Sequence, residues 1–284
     1  MIKNRDGIKL KEFEEEKDFF QIVSVTEQEL DVPQKYSDEV NKMVTSYKPE
    51  IPKEVPVTMK IVLTDETSIY VKPRRLPFSQ QNEVKIQVDE WLKDGIIKPL
   101  TSSYCSPVVI TKKKDGSSRL CIDYSRINQR ILKDQFPVPH IEEIIDQLEG
   151  FCVFSTLDLK NGFFHVPIDE TSTKYTAFVT KEGQFEFMKA PFGLTISPAA
   201  FLRLVHCVFS NLIKKKIVLT YMDDIVIPSK DEIEGLEKLK IVLKVTAKNG
   251  LSIQWSKCHF LQRRVLFSGH IIMNNNIHPS EEKI

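Results

Sequence analysis

The chain has 284 residues, is 41% hydrophobic and 28% charged, and carries a net charge of +1. That length allows one large domain or two small ones, and the composition is that of an ordinary soluble globular protein rather than a disordered or fibrous one. There is no long uncharged apolar run for a membrane span, no secretory signal in the charged start MIKNRDGIKLKEFEEEKDFF, and no C-x-x-C pair among five scattered cysteines, which argues against a zinc knuckle and for reduced thiols inside a cell.

Charge is unevenly spread. Residues 1–50 hold eight basic and twelve acidic side chains, a net −4, which leaves +5 for the rest. A mildly basic body is compatible with a polyanionic partner. The acidic run EFEEEKD and the prolines at 33, 49, 52 and 56 mark residues 1–34 as a flexible or linker segment, followed by a folded unit over 35–284.

VPVTMKIVLT reads as a strand. PFSQQNEVKIQVDEWLKDG reads as a helix capped by Ser79, with Val84, Val88, Trp91 and Leu92 as its apolar stripe and Gly95 at its end. SPVVITKKKDGSSRLCIDY is a β-hairpin pattern around Lys-Asp-Gly. PHIEEIIDQLEG is a short amphipathic helix ended by Gly150, and CVFSTLDL is a strand. TKYTAFVTKEGQFEFMKAPFG turns at Glu182-Gly183. SPAAFLRLVHCVFSNLI is a helix with Ser197 as cap and Pro198 at its first position. The hairpin TYMDDIVI follows, then a helix closed by Asn249-Gly250, then a last strand in RRVLFSGHIIM. Hairpins mixed with helices, without regular βαβ alternation, predict an α+β fold with a mainly antiparallel sheet packed on helices.

Asp223 and Asp224 stand side by side between two apolar runs. Aspartate is common in turns, where its side chain bonds nearby backbone. Two adjacent carboxylates on a buried hairpin also repel each other and lose solvation, and a divalent cation offsets both costs. Mg²⁺ prefers such oxygen ligands. A two-metal site needs a further carboxylate from another element, and Asp158, at the end of an apolar strand, is the best candidate; by itself it also reads as a turn or cap residue.

FSTLDLKNGFF, APFGLTISPAAF, YMDD, SKCHF and FSGH occur in the order of a reverse transcriptase polymerase domain. With KKKDGSSRLCIDYSRIN and FPVPHIEEIIDQLEG, the wording resembles the Pol polyprotein of a gypsy-like LTR retrotransposon, from about residue 35 to the C-terminus. The resemblance implies right-hand polymerase fingers and palm, ending at the start of the thumb. It implies RNA-directed DNA polymerase activity, in which a primer 3′-hydroxyl attacks the α-phosphate of a deoxynucleoside triphosphate with two Mg²⁺ ions, Mn²⁺ being a substitute.

The match makes Asp158 and Asp223 the principal catalytic metal ligands and Asp224 the third acidic residue. Lys113 and Arg119, on the fingers hairpin, fall where the triphosphate is neutralised. Phe163 falls where an aromatic ring blocks a ribose 2′-hydroxyl, and Phe192 and Gly193 fall in the loop against the nucleotide sugar and template pair. Lys257 matches a proton donor to pyrophosphate, and Gly269 centres the primer-grip hairpin. The implied partners are an RNA or DNA template with primer, deoxynucleoside triphosphates, and protease, ribonuclease H and integrase segments of a full-length element, with no membrane. The implied location is intracellular, in cytoplasm or virus-like particles. Ser118, Ser125, Ile196, Ser268 and the stretch Gly162 to His165 depart from the usual wording. These departures carry the alternative of an inactive or co-opted remnant that binds nucleic acid without catalysis.

Overall fold

The computed structural model describes residues 30–279, apart from 53, 113–117, 135, 138–139, 223, 268–269 and 274–275. In chain order the elements are α1 (Ser37–Ser46), α2 (Phe78–Lys93), β1 (Ile97–Pro99), β2 (Ser106–Lys112), β3 (Ser118–Ile122), α3 (Ser125–Asn128), α4 (Ile141–Asp146) and β4 (Val153–Asp158). They continue with β5 (Phe178–Val179), β6 (Gln184–Phe187), α5 (Ser197–Lys214), β7 (Leu219–Tyr221), β8 (Asp224–Ser229), α6 (Glu232–Lys248), β9 (His259–Gln262), β10 (Arg264–Phe267), β11 (His270–Met273) and β12 (Asn276–Pro279). No described helix is long and apolar enough to cross a membrane.

Three sheets form. The first has the order β7-β8-β4-β9 and is antiparallel throughout, the second runs β1-β6-β5-β2-β3, and the third runs β10-β11-β12. Among the described strands only the β2–β5 pairing is parallel, so the expected α+β, mainly antiparallel architecture is observed.

The four-stranded sheet is covered on both faces. Val153, Leu157, Ile225 and Ile227 pack into the core shared with Leu236, Leu239 and Val242 of α6 and Phe201 and Leu204 of α5. Phe154, Leu219 and Val226 pack the other way, against Ile144, Leu148, Val265, Phe267 and Ile272. Coverage on both faces explains the unbroken apolar run Ile225-Val226-Ile227, since alternation is needed only when one face meets water.

Several local expectations are corrected. Residues 55–64 form no strand: the segment is extended, with isolated bridges Met59–Ile168 and Leu63–Ile131. Its burial alternates at Val57, Met59 and Ile61 as in a strand, but its hydrogen-bond partners switch from Pro167 to Arg130 within a few residues, and no ladder propagates. Pro77, not Ser79, precedes α2, and Ile196, not Ser197, precedes α5. The Ser197 hydroxyl donates to the Pro191 carbonyl at 2.7 Å, so it holds the preceding loop. RRVLFSGHIIM is two paired strands, β10 and β11. Strand β9 is an addition, admitted by an irregular register against β4 and by Leu261 at φ +53°. Of the expected linker 1–34, residues 30–34 are described; there Asp31 bridges to His259 and its carboxylate meets His259 Nδ1 at 2.7 Å.

Candidate active site

Strands β4 and β8 are neighbours, and their register sets Asp158 directly across from Asp224. Six consecutive pairs, Val153–Ser229 through Asp158–Asp224, are in step. A slip of one residue would turn every apolar side chain to the wrong face, so the packing on both faces specifies the carboxylate register. Tyr221 pairs with Asp224 across a two-residue turn, and the first turn residue, Met222, sits at φ +53°. A non-glycine residue there costs about 1 kcal/mol. The turn is thus strained on a rigid sheet. Asp223, its second residue, lies outside the described residues, as do Lys113 and Gly269.

Asp158 is held from behind by its backbone carbonyl, which accepts from Gln254 N–H at 2.9 Å. In front, its Oδ2 lies 3.4 Å from Lys257 Nζ. Lys257 comes from a 3₁₀ turn, Trp255–Lys257, just before β9. Burial, with the charge of Asp158 adding to it, pushes the neighbouring Cys258 thiol up to about 12. The raised pKa disfavours the thiolate, and the Cys258 Sγ donates to the Gln254 carbonyl at 3.4 Å.

A cleft of about 540 Å³ opens beside Asp158 and is lined by Arg119, Phe163, Phe192 and Lys257 as well. Five of the expected site residues thus share one cavity, although they come from β3, β4, one loop and two 3₁₀ turns, Gly162–His165 and Trp255–Lys257. Arg119 reaches in from β3, with its guanidinium carbon 4.1 Å from the centre of the Phe192 ring. The Phe192 ring lies 4.7 Å from that of Phe163, which in turn meets Phe201 of α5 at 5.7 Å.

Gly193 and Asp224 do not line the cleft. Gly193 sits at φ +96°, and a Cβ there would stand 3.1 Å from the Ile122 carbonyl oxygen. The close approach that requires glycine is made to the end of β3. Asn128 clamps the same turn, donating from Nδ2 to the Gly193 carbonyl at 2.8 Å and accepting from Thr195 N–H at 3.0 Å. Asp224 is exposed at the head of β8.

The cleft also holds Gln87 and Trp91 of α2, Asn161 and Gln254, which the sequence reading had not placed there. Trp91 reads as core by periodicity, and half of it is core, since its ring meets Phe178 and Phe187 edge-on or tilted. Asn161, before Gly162, carries the signal of a left-handed turn and sits at φ +52°.

Comparison with known proteins places these elements. The family model for reverse transcriptase (RNA-dependent DNA polymerase) matches residues 110–272, more than half of the chain. The chain is 37% identical over 227 residues to a retrovirus-related Pol polyprotein from transposon 412 of Drosophila melanogaster, covering 78% of this chain and 18% of that one. It is 37% identical to the corresponding polyprotein of Drosophila transposon 297, covering 80% and 22%. It is 29% identical to the transposon Tf2-7 polyprotein of Schizosaccharomyces pombe, covering 83% and 18%. The chain thus spans about a fifth of the length of these relatives. In fold it is similar to the foamy viral protease-reverse transcriptase solved with RNA/DNA hybrid (TM-score 0.74, 22% identity, covering 89% of this chain and 35% of that one). The same viral protein solved with double-stranded DNA gives a TM-score of 0.76 at 23% identity, covering 89% and 54%. The four-stranded sheet and its helices are thus the palm and the five-stranded sheet the fingers, and the chain belongs to the reverse transcriptase family.

Proposed function

We propose that this chain is an RNA-directed DNA polymerase unit, with fingers and palm over residues 35–284, that adds deoxynucleotides to a primer 3′-hydroxyl. The observation that carries the reading is the register of Asp224 against Asp158, which lines a cleft together with Arg119 and Lys257.

The donor set suits a divalent cation. Carboxylates on facing strand ends offer hard oxygens, and the cation beside Asp158, Lys257 at 3.4 Å, is two-thirds exposed and free to swing away. Asp158 and Asp224, with Asp223 between Met222 and Asp224, are the residues that would hold Mg²⁺. The metal would supply activation of the primer hydroxyl and charge stabilisation of the pyrophosphate.

The other roles belong to the chain itself. Arg119 binds triphosphate oxygens through its N–H fork, and Lys113, six positions earlier in the sequence, adds charge. Phe163 closes the sugar side of the cleft and excludes a 2′-hydroxyl. Lys257 donates a proton to the departing pyrophosphate. Gly269 is assigned to the primer grip on its sequence match alone.

A second groove of about 390 Å³ on the fingers, lined by Tyr70, Lys72, Arg126, Gln129 and Arg130 among others, combines cations with an exposed aromatic ring. That chemistry suits an unpaired template strand, whose bases stack and whose phosphates need neutralising.

The test is primer extension on poly(rA)·oligo(dT) with Mg²⁺ and labelled dTTP, comparing the unaltered chain with Asp158→Asn. Extension that falls by about a thousandfold or more in the variant, roughly 4 kcal/mol of barrier, is the expected result. No extension by the folded, unaltered chain would favour the nucleic-acid-binding remnant.

A further inference from the structure

We infer that Phe192 is a positioning residue whose ring face holds the Arg119 guanidinium over the cleft and couples the triphosphate grip to the sugar-facing ring of Phe163. The inference rests on the reading of Arg119 as a phosphate ligand.

Arg119 sits near the end of an edge strand, β3, beside a hairpin tip, where a long side chain would ordinarily sample many rotamers. No described carboxylate lies within ion-pair distance of it; its contact is the Phe192 ring, 4.1 Å away. The distinction has chemical content. A carboxylate partner would occupy the N–H donors that a phosphate needs. A ring face attracts the guanidinium without offering an acceptor oxygen, so the N–H donors stay available to a phosphate. A stacked arginine is thus oriented without being neutralised.

The platform is itself braced. Phe192 stands 4.7 Å from Phe163 and 5.7 Å from Phe164, ring centre to ring centre. Phe163 rests on Phe201 of α5, which is 1% exposed. Gly162 lets the chain press onto Phe201, since a Cβ there would lie 2.8 Å from that ring. Behind Phe192, Gly193 lets the turn pack closely on Ile122, three residues along the chain from Arg119, since a Cβ there would stand 3.1 Å from the Ile122 carbonyl oxygen. One line of contacts therefore runs from the fingers strand through two aromatic rings into the palm helix.

The experiment compares the unaltered chain with Phe192→Leu, Phe192→Tyr, Arg119→Ala and the Phe192→Leu/Arg119→Ala double variant. Calorimetric binding of magnesium tripolyphosphate is read first, then KM and kcat for dTTP, with circular dichroism melts as the folding control. Leucine keeps bulk and loses the π face, so Phe192→Leu should weaken tripolyphosphate binding and raise KM about three- to thirtyfold, with kcat little changed. Phe192→Tyr keeps the face and should bind like the unaltered chain. In the Arg119→Ala background, Phe192→Leu should have no further effect.

Tripolyphosphate binding unchanged in Phe192→Leu, or weakened equally with and without Arg119, would overturn the platform alone. Binding that Arg119→Ala leaves intact would overturn the phosphate reading of Arg119, and the platform with it. A Phe192→Tyr variant that folds and still binds as poorly as Phe192→Leu would also count against the π face.

Discussion

In the palm, the acidic residues end β4 and β8, two central strands of a sheet packed on both faces. In the fingers, Arg119 lies on β3, the edge strand of the other sheet, and Leu120 beside it is only half-buried. The two regions meet different demands. Paired carboxylates repel, so they need a scaffold stiff enough to hold them in register at a cost. On the proposed function Arg119 follows a polyanion and needs reach, and an edge strand with one turn-supported ring gives reach with direction. Acids are held by core packing, and the base by a surface stack.

Core truncation should break this contrast most visibly. Phe154 of β4 is fully buried between α4 and the three-stranded sheet, and Phe154→Ala should cost about 3–5 kcal/mol. Leu120→Ala on β3 should cost about 1 kcal/mol, in proportion to the apolar area it buries. Urea unfolding followed by tryptophan fluorescence compares them, and equal losses would show that the edge strand is as tightly held as the palm.

Gly193→Ala comes next. Its φ of +96° and the 3.1 Å approach to Ile122 are both unfavourable for a Cβ, for a penalty of about 2 kcal/mol. Because the turn carries Phe192, the KM for dTTP should rise as well. A stable variant with normal KM would dissociate the turn from the arginine stack.

A smaller effect is expected at the fingers groove. Lys72→Glu with Arg126→Glu should weaken binding of single-stranded RNA about tenfold at moderate salt and flatten the plot of log affinity against log salt by about 1 to 2. Filter binding across a salt series reads this, and an unchanged slope would remove the groove from the template path.

The mildest prediction concerns His165, in the same 3₁₀ turn as Phe163. Burial lowers its pKa below the ordinary 6.5, with the charge of Lys189 acting in the same direction and a hydrogen bond to the Lys160 carbonyl opposing. The unfolded chain then takes up the proton first, so this contribution to stability is complete above about pH 6.5 and is lost as pH falls from there toward the folded-state pKa. His165→Gln should flatten the acid limb of a melting-temperature profile measured between about pH 7 and 5. An unaltered limb would place the acid sensitivity elsewhere.

Order and local type of most elements were readable from the residues alone. Apolar runs flanking Asp158 and Asp224, Gly95 at the end of α2, and Glu182-Gly183 in its hairpin are short-range signals, decided by backbone sterics and the burial period, whereas α4 stops at Asp146, four residues before the Gly150 expected to end it. The family motifs named Arg119, Phe163, Phe192 and Lys257, which the fold gathers into one cleft. What lay beyond reach were features set by partners distant in the chain. Residues 55–64 alternate like a strand, yet no single neighbour runs alongside them. Ser197 has a cap's chemistry, but its hydroxyl went to Pro191. Gln87 and Trp91 entered the cleft because α2 packs beside β3 and the Phe164 ring. The Arg119–Phe192 stack joins residues 73 positions apart. Periodicity reports which way a side chain faces; only the packing of one element on another decides what it faces.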